Sequence, residues 1–326
     1  MKTAEREISV TKRLLTATIL AGGAGLAGGA GLAGIAIAAE TDGATRKSGP
    51  DISFEIAAGV DYDSNISVNE LDANTGEDDF AAAIEADFDL TTPVGPNTEF
   101  QLGYGFSQSL HADFTAFDLQ SHLASADLSH DFGPLEVGAA YRFAYSRLGG
   151  ASFFTMHQVN PYAAAFIGRQ FYVRGGYTWS DKDFDTDPLR DAKNRSYGAD
   201  AYFFLNGVKS YIVGGYERER ENTVGDEFDY RSDNFRVRFA QRFPFGADDA
   251  ELSVGFRHEA RDYDNVTASI GEVRNDKRNR FQAQLELPIT DFAFARLEYE
   301  HGDYNSNLPA ADYKEDLAGV RLGLRF

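Results

Sequence analysis

From residue 51 onward the chain alternates apolar and polar side chains. Ile52, Phe54, Ile56, Ala58, Val60 and Tyr62 take every second position, with Asp51, Ser53, Glu55, Gly59 and Asp61 between them. Phe80, Ala82, Ile84, Ala86, Phe88 and Leu90 are set against Glu85, Asp87 and Asp89, and Phe100, Leu102, Tyr104 and Phe106 against Gln101, Gly103, Gly105 and Ser107. The same period runs through 135–143, 171–179, 252–256, 281–287 and 293–299. A period of two predicts extended strands with two unlike faces. No segment keeps the 3.6-residue period of an amphipathic helix, and none beyond residue 50 is apolar over the length a membrane helix needs. The chain ends DLAGVRLGLRF, with Ala318, Val320, Leu322, Leu324 and Phe326 on one face and Gly319, Arg321, Gly323 and Arg325 on the other. Something apolar must cover the first face.

With weaker runs near 115–130, 151–166, 193–206, 209–221 and 228–243, the pattern predicts fourteen strands. The connections alternate in length. TTPVGPN, DFGP, GRQ, NGV, PFGADD and PITD are tight, whereas SNISVNELDANTGEDD, DKDFDTDPLRDAKN, RENTVGDE, NVTASIGEVRNDKRN and GDYNSNLPAAD are long and polar. Short turns at one end, long loops at the other and an even strand count describe a closed, antiparallel, 14-stranded transmembrane β-barrel of outer-membrane type, all-β, with both termini on the periplasmic side. A soluble sandwich or lipocalin-like barrel would point its apolar face inward. Fourteen strands enclose a lumen too wide for these side chains to fill, and the polar face repeatedly carries Glu, Arg and Gln, which suits water. Lipid outside lets every backbone group pair while the apolar face points out. The terminal phenylalanine then belongs to a closing strand against lipid, and Val320, Leu322, Leu324 and Phe326 read as an assembly signal.

The composition agrees: 26 Phe and 16 Tyr are too many for a disordered chain, and a mean hydropathy of −0.38 with 25% charged residues is unlike a helical membrane protein. A net charge of −20 argues against nucleic acid, and an anionic lipid would need bridging cations. Residues 1–39 stand apart. Lys2, Arg6, Lys12 and Arg13 precede an uncharged run from Leu14 to Ala39 ending in Ala36-Ile37-Ala38, which predicts a cleaved secretory signal. The alternative is an uncleaved anchor, disfavoured by seven glycines. Residues 40–50 are then a short periplasmic linker and 51–326 the barrel.

Charge along the barrel is uneven. From Pro50 through Tyr141 there are eighteen acidic residues and no lysine or arginine. The inward faces offer Glu55, Asp61, Glu85, Asp87 and Asp89 early, and Arg236, Arg238, Arg242, Arg257, Arg261, Arg296, Arg321 and Arg325 late, with Glu259, Glu286, Glu298 and Glu300 among them. Since the first and last strands of a barrel are neighbours, Glu55 could face Arg321 or Arg325. One reading is a transverse field that orients polar solutes; the other is that these charges satisfy one another and hold water.

No catalytic constellation emerges. Of six histidines, only His111 with Asp113 pairs rim placement with a local carboxylate, and a solvated loop histidine explains it. Asp61, Asp63 and Asn65 match the first ligand positions of a calcium loop, but its sixth position is Ile66 and its twelfth Asp72, so no metal site is expected. Asp181, Asp183, Asp185 and Asp187 form another acidic run, read as a solvated loop. No cofactor is expected, and no enzyme.

AAGVDYDSNISVNE and YEHGDYNSNLPAADYKEDLAGVRLGLRF together resemble the barrel of the surface lipoprotein assembly modifier family, through Tyr62, Asp63, Asn65, Ser306, Asn307, Asp312 and Tyr313. The resemblance implies a fourteen-stranded barrel over about residues 50–326 that passes lipoprotein across the outer membrane. That family carries a tetratricopeptide domain ahead of its barrel, while only about ten residues lie here between signal and first strand. A client lipoprotein would then need a periplasmic partner protein. The expected partners are outer-membrane lipid and lipopolysaccharide, the barrel assembly machinery, and such a client. The alternatives are a passive porin-like channel and an adhesive barrel working through its acidic loops.

Overall fold

A computed structural model describes residues 49–246 and 248–326; the signal expected at 1–39 and most of the linker lie outside the described residues. Fourteen strands form a closed antiparallel barrel: β1 (Asp51–Asp63), β2 (Asp79–Pro93), β3 (Thr98–His111), β4 (Leu119–Asp131), β5 (Leu135–Leu148), β6 (Ala151–Ile167), β7 (Phe171–Phe184), β8 (Ala192–Phe204), β9 (Ser210–Thr223), β10 (Tyr230–Phe245), β11 (Asp248–Thr267), β12 (Glu272–Thr290), β13 (Ala293–Ser306) and β14 (Tyr313–Arg325). Each strand pairs with its successor, and β14 closes on β1 from Glu55↔Arg325 to Asp63↔Leu317. The last residue completes the seam: Phe326 and Phe54 exchange backbone hydrogen bonds of 2.9 and 3.1 Å.

The apolar alternation faces out. Ile52, Ile56, Val60, Leu102, Val137, Val237, Phe256, Leu297, Val320, Leu322, Leu324 and Phe326 are all exposed, and between them lie bands of outward aromatics. Phe171 stacks on Phe203 near the short-turn end, while Tyr104, Tyr141, Tyr177, Trp179, Tyr197 and Tyr299 lie six to eight residues from the turn ends of their strands. An apolar belt bounded by two aromatic girdles is the lipid-facing surface of an outer-membrane barrel.

Seven connections, L1 to L7, occupy the loop end: 64–78, 112–118, 149–150, 185–191, 224–229, 268–271 and 307–312. L3 is two glycines with φ of 56° and 81°, the backbone a two-residue hairpin turn of the matching twist requires. Several loops are shorter than the sequence predicts. NVTASIGEVRNDKRN is almost wholly strand, because β11 and β12 run to a four-residue turn at 268–271. Much of DKDFDTDPLRDAKN and GDYNSNLPAAD is likewise paired. Polarity there marks strand beyond the hydrocarbon rather than loop.

Pro161 sits inside β6, where it cannot donate to the ladder. The neighbouring Asn160 amide compensates, donating to the Tyr177 carbonyl at 3.1 Å and to Thr178 Oγ1 at 3.0 Å.

Candidate functional site

Inward candidates of β1, β2, β12, β13 and β14 are joined by ion pairs. At the seam they converge. The Arg321 guanidinium forms a bidentate pair with Asp61 (2.6 and 2.8 Å) and donates through Nε to Glu85 at 3.1 Å. Gly319 makes this possible, since a Cβ there would lie 2.5 Å from Asp61 Oδ1. Arg296 reaches Glu55 (2.5 Å), Glu85 (3.2 Å) and Glu286 (3.2 Å), and Arg325 joins Glu55 (2.9 Å) to Glu286 (2.8 Å). Glu298 lies 4.0 Å from Arg321. The Phe294 ring faces the guanidinium carbons of Arg296 and Arg325, at 4.9 and 4.8 Å. Arg296 and Arg321 are each only 2% exposed, so these pairs exchange little with solvent. Of the two partners expected for Glu55, Arg325 makes the contact while Arg321 pairs with Asp61 and Glu85, and the charges here satisfy one another.

Asp87 and Asp89 differ. No lysine or arginine lies within salt-bridge distance of either among the described residues, and they face Gly105 and Gly103 of β3, whose missing side chains leave them room. Four to six strands round the barrel from β2, an arginine row crosses β10, β11 and β12, with Arg236, Arg257 and Arg280 in register. Arg236 is held by Asp200 (3.0 and 2.8 Å), Arg257 donates to Asn234 Oδ1 at 3.0 Å, and Arg280 lies 3.9 Å from Glu300. Arg238 and Arg242 continue along β10, where Arg242 pairs with Glu251 at 2.8 Å. Arg261 pairs with Glu259. A cavity of about 180 Å³ opens beside this wall, lined among others by Arg257, Glu259, Arg261, Glu217 and Lys182.

That cavity is bounded by a loop the sequence did not place. L1 turns into the mouth of the barrel. Val68 and Leu71 pack into an apolar cluster with Phe153, Phe154, Met156 and Phe184 from the far wall. Between them and the strand ends, the Asp72 carboxylate accepts from Arg274 at 2.9 and 2.7 Å and from Arg190 of L4 at 2.7 Å, with Arg278 4.0 Å away. Burial alone would raise the Asp72 pKa, but Arg274 and Arg190 outweigh it and hold the carboxyl well below the usual range. Asn69 Oδ1 accepts from the Tyr313 hydroxyl (2.5 Å), and Asn74 Nδ2 donates to the Ala310 carbonyl (2.7 Å). L1 is therefore fastened to β12, β14, L4 and L7. A second apolar group, Tyr172, Tyr202, Phe204, Tyr211 and Val213, fills part of the lumen toward the turn end. The expectation of a wide, wholly polar lumen is thus corrected: buried ion pairs, inward aromatics and L1 occupy much of it.

The calcium-loop candidates also have another role. Asp61 is committed to Arg321. Asp63 Oδ1 accepts the Asn65 backbone N–H at 2.9 Å, and the Asn65 side chain joins the Lys314 carbonyl (3.1 Å) to the Gly76 N–H (2.8 Å). These residues staple the base of L1 to β14. Among the described residues no group of His, Asp and Glu is arranged to hold a metal ion. His111 is not paired with Asp113: its ring lies 3.6 Å from Asp118, while the Asp113 N–H donates to Asp79. Of the family-like residues, Asn65 donates to the Lys314 carbonyl of β14, and Asp312 of L7 accepts from the Ser306 N–H at 3.4 Å.

The sequence model of the family described as outer membrane protein beta-barrel domain matches residues 148–326. No curated protein matches the chain. Among solved structures, the outer-membrane expressed OmpT of Vibrio cholerae is similar at 11% identity and a TM-score of 0.50, over 87% of this chain and 99% of that one. An anion-selective porin from Comamonas acidovorans is similar at 9% identity and a TM-score of 0.47, over 85% and 100%. OccAB4 of Acinetobacter baumannii is similar at 10% identity and a TM-score of 0.44, over 85% and 98%.

Proposed function

The chain belongs to the outer membrane protein β-barrel domain family, and we propose that this outer-membrane barrel is a diffusion channel for small polar solutes, narrowed at its extracellular mouth by L1. The observation that carries this reading is the inward pairing of unlike walls: free carboxylates on β2 against the arginine row of β10 to β12, with an L1-bounded cavity beside that row. Charges of opposite sign across a low-dielectric passage focus a field that aligns dipolar solutes and favours cations near the acidic wall. The test is single-channel conductance of the protein purified from outer membranes and reconstituted in planar bilayers. Ohmic conductance with cation preference supports a channel; a barrel that inserts and never conducts, even with L1 shortened, overturns it.

A second reading, passage of a lipoprotein client, draws on two contacts of the family-like residues, Asn65 with the Lys314 carbonyl at the base of L1 and Asp312 with the Ser306 N–H in L7. Deleting the chain and measuring surface exposure of lipoproteins by protease shaving separates the two: unchanged exposure leaves the channel alone.

A further inference from the structure

The outward face carries a cationic patch that the hydrophobic belt does not explain. Arg195 of β8, Arg220 of β9 and Arg231 of β10 lie directly opposite one another in register, on three neighbouring strands. Lys193 extends the patch two positions toward the loops along β8, and Arg218 two positions toward the apolar belt along β9, level with Tyr197. All five are exposed, with about half of the side chain free for Arg218, Arg220 and Arg231. Like charges in cross-strand register repel. The compensation within the chain is partial. Asp264 lies 3.3 Å from Arg220 and 3.2 Å from Arg231, and Asp233 lies 3.5 Å from Arg218. Arg195 and Lys193 have no carboxylate within 4 Å among the described residues, although Asp181 is Lys193's register neighbour and Asp262 is Arg231's.

The height of the patch says what lies against it. Trp179, the chain's one tryptophan, is the register partner of Arg195, and Tyr177 and Tyr197 form the next row down. The eight residue steps from Phe171, in the opposite girdle, to Trp179 span roughly 20 Å at about 3.3 Å per step and a tilt of about 40°. That is close to the thickness of the apolar belt of such barrels. Below the arginines the same strands present Ala199 and Ala201, Ile212, Gly214 and Tyr216, and Phe235 and Val237. The patch therefore sits at headgroup level in the leaflet on the loop side.

We infer that Arg195, Arg220 and Arg231, with Lys193 and Arg218, bind the phosphate groups of a phosphorylated glycolipid in the outer leaflet, while the rings of Trp179 and Tyr197 lie along its acyl chains. Guanidinium groups pair with phosphate through short, charge-assisted hydrogen bonds, and an anion between them removes the mutual repulsion of the row. This contact is direct, unlike the cation-bridged contact that the net charge of −20 predicts for an anionic lipid.

The experiment measures binding of bisphosphorylated lipid A to the detergent-solubilised full chain by native mass spectrometry, in EDTA. Stoichiometric binding is expected, weakened about tenfold or more by Arg195→Gln and further by Arg195→Gln/Arg220→Gln/Arg231→Gln. Arg195 forms no ion pair among the described residues, so the single variant keeps the test valid if the triple variant fails to fold. Equal binding of dephosphorylated lipid A, loss of binding in EDTA, or wild-type affinity in the folded Arg195→Gln protein would each overturn the site. Displacement by millimolar inorganic phosphate would show that free anion, rather than the lipid, is the ligand.

Discussion

Asp72→Asn is the substitution that tests the L1 latch. The amide keeps the shape of the side chain and can still accept one hydrogen bond, but it removes the charge that faces Arg274 and Arg190. Arg274 is 1% exposed and would be left with Asp276 alone at 2.7 Å. Breaking a buried ion pair by removing one partner costs about 3–5 kcal/mol, and the retained bond puts this case near the low end. About 3 kcal/mol corresponds to roughly a hundredfold shift in the ratio of seated to released L1. Single-channel records should show that shift as a larger share of time in the higher-conductance level, while Val68 and Leu71 let the loop reseat. The sign with pH follows from the depressed carboxyl. A group whose folded pKa lies below its free value of about 3.9 contributes fully above that value and loses its contribution as pH falls toward the folded one. The wild-type open share should thus be flat from about pH 8 to 5 and rise below about pH 4. Identical records for wild type, Asp72→Asn and a barrel with residues 69–74 replaced by a Gly-Ser linker would refute the latch.

Other outcomes follow from the same geometry. Arg321→Gln strips Asp61 of its bidentate partner at the seam and should cost about 3–5 kcal/mol of barrel stability, seen as a lowered urea midpoint in lipid vesicles; an unchanged midpoint would mean the seam holds by backbone pairing alone. Leu324→Asp puts a charge on the lipid face of the closing strand and should lower outer-membrane levels, whereas normal levels would contradict the face assignment. Asp87→Asn/Asp89→Asn removes the unpaired lumen carboxylates and should move the reversal potential in a salt gradient toward less cation preference. No movement would show that ions do not pass that wall.

The barrel was legible because hydrocarbon imposes the period of two wherever a strand crosses it. Even the seam was partly legible: closure alone makes β1 and β14 neighbours, so Glu55 and Arg325 could be placed together from their faces. What was not legible is what depends on loop conformation. Nothing in SNISVNELDANTGEDD tells that Leu71 and Val68 turn inward, because their partners Phe153, Phe154 and Phe184 lie on β6 and β7. Asp72 looked like a failed calcium ligand, and its partner Arg274 is two hundred residues away. The inward Tyr172, Tyr202 and Phe204 were hidden because both faces of β7 and β8 are aromatic there, which erases the contrast that assigns a face.

The ends of the strands show why hydropathy fails before the fold does. In β9 the run YEREREN keeps the period of two after the apolar residues stop, but carries it as sign: Glu217, Glu219 and Glu221 point inward, and Arg218 and Arg220 outward. Lumen and exterior are both polar at this height, so hydrophobicity no longer distinguishes the faces, while charge still does. Inside, the glutamates meet Lys182 and Asn194, with Glu221 2.5 Å from the Lys182 ammonium. Outside, the carboxylates near the arginines among the described residues are Asp233 and Asp264, and Arg220 also donates to Asn222 Oδ1 at 3.2 Å. An alternation of sign beyond the end of an apolar alternation is therefore a mark of a strand leaving the hydrocarbon.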